Sequence, residues 1–190
     1  MVETIKNNIS ESIRLKTSLL NDENIINKIY EISNIIIETY KNGNKIYFCG
    51  NGGSFADSQH LSAELNGRFY FDREPLEVVL LGSNLSYLTA VANDYSYEEI
   101  FSREFKSSFR KGDVVICLST SGKSKNIIKL IESNPDAFVV SFLGRDGGLM
   151  KDMSDISIVI PSEDTARIQE CHMLIGHTVL EIVENKMFKK

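Results

Sequence analysis

Three histidines and a few carboxylates mark where acid/base or metal chemistry could sit in this 190-residue chain. His60 and Glu64 are four apart in KIYFCGNGGSFADSQHLSAEL, residues 45–65. On a helix they share one face, about 6 Å apart along the axis. That spacing suits two ligands of one divalent metal; a weak i, i+4 pair is the plainer alternative. The other histidines, His172 and His177, fall with Gln169 in RIQECHMLIGH near the C-terminus. With all three on two helices, a metal or acid/base site between those helices is a reasonable expectation. For His172 taken alone, a core or interface histidine is the favoured reading.

A second stretch, VVICLSTSGKSKN from Val114 to Asn126, ends a buried strand in Ser119, Thr120, Ser121 and Gly122, with Ser124 opening a helix. Hydroxyls and free N–H groups converge there with the positive end of a helix dipole behind them, which suits a phosphate monoester. A lone SxxS reads better as a capping turn. Four hydroxyl residues within six positions favour the anion site. Walker A is excluded because Cys117 stands where its first glycine belongs, and GxGxxG because Phe55 stands at its third.

These groups need a scaffold. Five apolar runs, Lys45 to Cys49, Leu76 to Leu81, Val114 to Leu118, Ala137 to Leu143 and Ile156 to Ile160, read as strands. Helical segments at about 54–66, 97–109, 124–133 and 147–153 separate most of them, which predicts a three-layer α/β/α domain around a five-stranded, mainly parallel sheet. A last helix is expected over about 164–187, with Gly176 its one poor helix former. Residues 1–42 carry helix-period apolar positions, Ile26, Ile29, Ile32, Ile35, Ile36 and Tyr40, on one side. Two helices fit, broken near Asn21 and Asp22 with Asp22 as N-cap. This arm is expected to lie outside the sheet and to pair with its copy in another subunit, leaving 43–190 as the α/β core of a single domain.

A net charge of -5 argues against a chain whose main task is neutralising nucleic-acid phosphates or an anionic membrane. No apolar run approaches the roughly 20 residues of a membrane span, and no signal core opens the sequence, so a cytoplasmic protein is expected. Cys49 and Cys117 sit in apolar strands and read as buried reduced thiols.

Together CGNGGSFADSQHLSAELNGRF, VANDYSYEEIFSR, LSTSGKSKN and TARIQECHMLIGH resemble the sugar isomerase (SIS) domain of the sedoheptulose-7-phosphate, or phosphoheptose, isomerase family. The match covers nearly the whole chain, N-terminal helices included. It implies a homotetramer with active sites near subunit interfaces and one zinc per site, held by His60, Glu64, Gln169 and His177. Glu64 and His177 would also be the acid/base pair. It further implies phosphate contacts from Ser119, Thr120, Ser121 and Ser124, and sugar contacts from Asn51, Gly52, Gly53, Asn93 and Asp94. Ser54 and Arg68 fall on matching positions and would line the site. Some relatives carry Asp where this chain has Ala166, and Asp164 is a nearby candidate for that acid.

The implied reaction interconverts D-sedoheptulose 7-phosphate and D-glycero-D-manno-heptose 7-phosphate through an enediol(ate), feeding heptose into lipopolysaccharide core or capsule. Two tensions accompany it. A zinc-bound Glu64 loses basicity, which calls for ligand exchange or partial coordination during turnover. Gln169 and His177 are eight residues apart, roughly 12 Å of helical rise. They require opposed side-chain reach, a distortion near Gly176, or different subunits. A non-catalytic SIS adaptor of a replication initiator and an isomerase or regulator for another sugar phosphate are the alternatives. The presence of both Glu64 and His177 favours the heptose enzyme.

Overall fold

A computed structural model describes residues 1–189. Helices α1 (Val2–Leu20) and α2 (Glu23–Lys41) meet at Asp22, whose carboxylate accepts from the backbone N–H groups of Asn24 and Ile25. That is the expected N-cap, and it satisfies two otherwise orphaned donors at the helix start. Strand β1 (Ile46–Gly50) leads into α3 (Gly53–Asn66), and β2 (Val78–Leu80) into α4 (Leu85–Asp94). A 3₁₀ turn at Tyr97–Glu99 and α5 (Ile100–Ser108) precede β3 (Val114–Ser119). Then come α6 (Lys125–Ser133), β4 (Phe138–Gly144), α7 (Met150–Met153), β5 (Ile156–Ile160) and α8 (Thr165–Phe188).

All pairings are parallel, in the order β2-β1-β3-β4-β5. Alternate residues face opposite layers, as a pleat buried on both sides requires. Ile46, Phe48, Ile116, Leu118, Val140 and Phe142 pack with α1, α2, α3 and α8. Tyr47, Cys49, Val115, Cys117, Val139 and Leu143 pack with α4 to α7. Cys49 and Cys117 sit opposite one another with Sγ atoms 3.5 Å apart, both buried as free thiols. Their hydrogen bond and then burial hold the Cys49 thiol well above its ordinary value.

Two expectations change. The N-terminal arm, helical as expected, does not stand apart from the α/β core: Ile25, Ile32, Ile36 and Ile37 of α2 are core residues, while Ile26 is exposed. The Lys28 ammonium donates to the carbonyl of Ser157 in β5 at 2.8 Å, fixing α2 to the sheet edge. The strict three- and four-residue spacing chose Ile26 where the helix turns Ile25 inward. The second change is α4, which the sequence reading passed over: Val91 is buried, and Tyr87, Leu88 and Ala92 pack beside it, partly buried, against the core. Asn84 starts it by accepting from the Tyr87 N–H at 3.1 Å.

Because β1 passes first to β2 on one side and the chain then returns to β3 on the other, the order reverses between β1 and β3. That switch point opens a crevice at the carboxyl ends of these strands, flanked by the turn at Asn51–Gly52 and the loop Thr120–Ser124. A Cβ at Gly50 would overlap the Ser54 carbonyl, its carbon 2.6 Å away. The turn into α3 is therefore as tight as backbone allows.

Helix α8 is continuous from Thr165 to Phe188, which removes a distortion near Gly176 as a way of uniting Gln169 and His177. Gly176 instead faces α3, where a Cβ would stand 2.6 Å from Leu61 Cδ1. His172 points into the core, fully buried. Its Nε2 donates to the Leu143 carbonyl at 3.0 Å, and Nδ1 has no partner among the described residues.

Gly50→Ala should destabilise the protein by about 1–3 kcal/mol, because the new methyl meets backbone that cannot yield; a urea midpoint equal to that of the parent would show that the turn is looser than described. Burial lowers the His172 pKa from 6.5 to about 4. Between those values the unfolded chain binds more protons than the native one, so stability should fall as pH drops from 6.5 towards 4, by up to roughly 3 kcal/mol. Urea titrations at pH 7, 5.5 and 4 should show a shallower loss in His172→Phe; the same slope in both proteins would remove His172 as its cause.

Candidate active site

Helices α3 and α8 lie side by side and run in the same direction, because each follows a parallel strand and returns across the same face. Gln169 meets Gly53, Gly176 meets Leu61, and Glu184 meets the N–H groups of Phe69 and Tyr70. This stepwise pairing carries His177 to His60 and Glu64. His60 Nε2 and Glu64 Oε1 are 3.2 Å apart, and the His60 and His177 rings pack edge-on at 5.1 Å. One ligand atom from each of His60, Glu64 and His177 lies within 4.8 Å of the others. Two imidazoles and one carboxylate at this spacing, on the rim rather than deep in the core, form a donor set that a divalent metal could draw together.

Burial, with repulsion from His60, lowers the His177 pKa; Glu64 opposes the shift. His177 is thereby kept neutral near pH 7, the state able to ligate or to pass a proton. Phe69 stacks on its other side, ring centroids 5.5 Å apart and planes 23° apart. Asp57 and Gln169 line the cleft beside His177, together with Lys16, Ala166 and Glu170. Oδ2 of Asp57 is buried without a hydrogen-bond partner among the described residues, and burial raises its pKa.

The serine loop occupies the switch-point crevice. Ser119 and Ser124 hydroxyls are 2.9 Å apart, and the Gly122 N–H donates to Ser119 Oγ at 3.1 Å. Ser121 Oγ accepts from the Lys123 N–H at 3.2 Å. Ser124 is the N-cap residue of α6, yet its hydroxyl does not cap that helix. Among the described residues no acceptor takes the N–H groups of Ser124, Lys125 or Asn126. Those donors remain available to an anion. Gly122, at φ 61°, is braced from behind by Gly147, whose carbonyl would strike any Cβ there.

Asn51 sits across this crevice in a reciprocal amide pair with Asn126, at 3.0 and 2.9 Å. The Tyr97 hydroxyl donates to Asn51 Oδ1 at 2.8 Å. Gly52, at φ 56°, and Gly53 make the exposed turn below Asn51, and Ser54 is buried in the first turn of α3. Asn126, Tyr97 and Phe69 belong to the candidate site but were not singled out from sequence. All three lay inside quoted motifs, Asn126 as a first-turn helix residue, but nothing in the local pattern set them apart from their neighbours.

Other residues stay apart. Asn93 and Asp94 close α4, exposed and hydrogen-bonded to each other at 2.8 Å, with no bond to Asn51 or the serine loop. Arg68 is exposed on the loop after α3. Thr120 is half-buried beside Ser119. Gln169 presses its amide against Gly53, two turns from His177, and is not hydrogen-bonded to the triad. Asp164 does not replace the absent acid at position 166: its carboxylate caps α8, accepting from Ala166 N–H at 2.8 Å. Most important, seven residues of α3, about 10 Å of rise, separate Gly53 at the crevice from His60 in the triad.

Residues 10–137 match the SIS domain family. Over 190 residues the chain is 44% identical to a phosphoheptose isomerase of Sulfurimonas denitrificans, covering 99% of this chain and 97% of that protein. It is 45% identical over 188 residues to phosphoheptose isomerase 2 of Campylobacter jejuni, covering 98% and 94%. The solved phosphoheptose isomerase of Neisseria gonorrhoeae superposes with a TM-score of 0.90 at 34% identity, covering 96% of this chain and 98% of that one. A phosphoheptose isomerase of Francisella tularensis gives 0.92 at 29% identity, covering 97% and 98%. End-to-end identity of this degree, on the same five-stranded parallel fold, makes the chain a member of the phosphoheptose isomerase family of SIS-domain proteins.

Proposed function

We propose that the protein is an aldose–ketose isomerase that converts D-sedoheptulose 7-phosphate to D-glycero-D-manno-heptose 7-phosphate for heptose precursor synthesis. The observation that carries this reading is the meeting of Glu64 and His177 across α3 and α8 in a chain that aligns end to end with phosphoheptose isomerases. Glu64 removes the proton from the carbon next to the carbonyl and returns it to its neighbour. His177, neutral and next to Glu64, moves protons between the two oxygens. Ser119, Thr120, Ser121 and Ser124 hold the phosphate at the start of α6, remote from the reacting carbons, so its binding energy serves orientation. Asn51, Gly52, Gly53 and Ser54, with Asn93, Asp94 and Arg68, serve the sugar. His60, Glu64 and His177 would hold one zinc, with Gln169 as a fourth ligand that comes in by opposed side-chain reach along α8 or from another subunit. When bound, zinc supplies a Lewis acid that polarises a carbonyl oxygen.

We further propose that the protein acts in the cytoplasm as a homotetramer whose sites are shared between subunits. Two features support this. The triad and the serine loop face different regions of one chain, about 10 Å apart along α3. In addition, Val2, Ile5, Ile9 and Ile13 of α1 are all more than half exposed, on a stripe bordered by Lys16 and Glu170, which also line the triad's cleft. An unpartnered apolar stripe of that length is characteristic of an interface.

In a coupled assay, sedoheptulose 7-phosphate should turn over and fructose 6-phosphate should not. Chelation should remove activity and zinc should restore it; full activity in metal-free protein would remove zinc from the reading. Glu64→Gln should lower kcat by at least about 100-fold while the protein stays folded, and near-normal turnover would exclude Glu64 as the base. Mixing and reassembling Glu64→Gln with Ser119→Ala/Ser124→Ala should recover part of the activity if sites are shared, and none if each chain works alone.

A further inference from the structure

Arg73 and Glu184 form an ion pair at 3.0 Å, with both side chains only 2% exposed. A buried pair of this kind is weak evidence for stability, because apolar residues of similar volume commonly do as well. What the pair does hold is specific. Arg73 Nη2 donates to the carbonyl of Glu64 at 2.7 Å, and Nη1 to the carbonyls of Leu65 at 3.0 Å and Glu74 at 2.9 Å. The bonds to Glu64 and Leu65 close the last turn of α3, where a cation is favoured, and the bond to Glu74 ties the following loop to it. Glu184 takes the other side: Oε1 accepts from Phe69 N–H at 3.0 Å, and Oε2 from Tyr70 N–H at 2.9 Å. Phe69, anchored by its backbone in this way, lays its ring against the His177 imidazole.

One buried pair thus grips Glu64 by its main chain and His177 through Phe69. Neither Arg73 nor Glu184 belongs to the triad or lines its cleft. We propose that Arg73 and Glu184 are a positioning pair that fixes the separation and orientation of Glu64 and His177, and with them the geometry of the metal site. The catalytic half of this inference rests on the isomerase reading; the metal-geometry half does not.

Two variants separate positioning from stability. Glu184→Gln keeps the shape but turns an amide N–H towards one of the two backbone donors. Arg73→Lys keeps the charge but cannot span the three carbonyls and the carboxylate at once. Each should lower kcat at least tenfold while KM for sedoheptulose 7-phosphate stays within about twofold, since the phosphate is held elsewhere. Each should also weaken zinc binding by the apo-protein about 10–100-fold, measured by competition with a chromophoric chelator, as loss of the groups that orient metal ligands does. Should one variant not fold, the other carries the test. Folded variants with parental kcat and zinc affinity would overturn the proposal, and so would losses that merely follow the unfolded fraction seen by circular dichroism. If the parent protein does not turn over the heptose, the isomerase reading fails, and zinc affinity alone decides whether the pair positions the site.

Discussion

The grouping of His60, Glu64 and His177 depends on how closely α3 and α8 approach. At their crossing a glycine, Gly176, faces Leu61, and the space a methyl would need is already occupied. A larger residue would push the helices apart, or force Leu61 out of its place in the core. His60 precedes Leu61 and His177 follows Gly176, so this contact sets how far apart their imidazoles lie. Glycine costs about 1 kcal/mol of helix propensity at an interior position. Here that cost is tied to a place where α8 comes close to α3.

The parallel course of the two helices has a second consequence. Both leave the carboxyl edge of the sheet, where the serine loop waits, and run towards the amino edge. The triad therefore lies partway down the outer layer, whereas the switch-point crevice stays at the top. A single fold cannot shorten that distance without bending α3, which shows no break between Gly53 and Asn66. In the proposed function, copies of the chain would bring the serine loop of one to the triad of another. The exposed stripe on α1 adjoins the cleft of the triad through Lys16 and Glu170. An interface formed there would border the chemistry directly.

Local features of the sequence were readable, and pairwise ones were not. The five strands, the Asp22 cap, the final helix and the turns that follow β1 and β3 can be read from runs, periods and turn residues within short windows. The grouping of His60, Glu64 and His177 was also legible, because histidines are few and fall on two helices. The neighbour of α3 proves to be α8 of the same chain, so no second subunit is needed for that contact. Gly176 showed only its poor propensity, since its purpose depends on Leu61, more than a hundred residues earlier. The Asn51–Asn126 amide pair and the Arg73–Glu184 pair join positions 75 and 111 residues apart. Nothing in the local pattern of either partner marks it. Helix α4 was missed although Leu88, Val91 and Ala92 recur at helical spacing, because ten residues give a short window to read.

The two halves of the site solve the problem of charge differently. Among the described residues the lysines of the serine loop are turned outward: Lys123 pairs with Asp146 and Lys125 with Glu98, both at the surface. An anion there would be met by hydroxyls, unpaired N–H groups and the start of α6, that is, by fixed dipoles rather than by mobile charge. Such a cradle keeps its shape when empty, because Ser119, Ser124 and Gly122 already bond to one another, and it adds no side-chain ordering cost when filled. At the triad the balance is reversed. Ionisable groups are crowded, and burial with a neighbouring imidazole keeps His177 neutral. A neutral imidazole beside a carboxylate can accept a proton on one nitrogen without first losing one to solvent, which a reversible proton relay requires. Rigid dipoles suit the part of a ligand that does not react, and adjustable protonation suits the part that does.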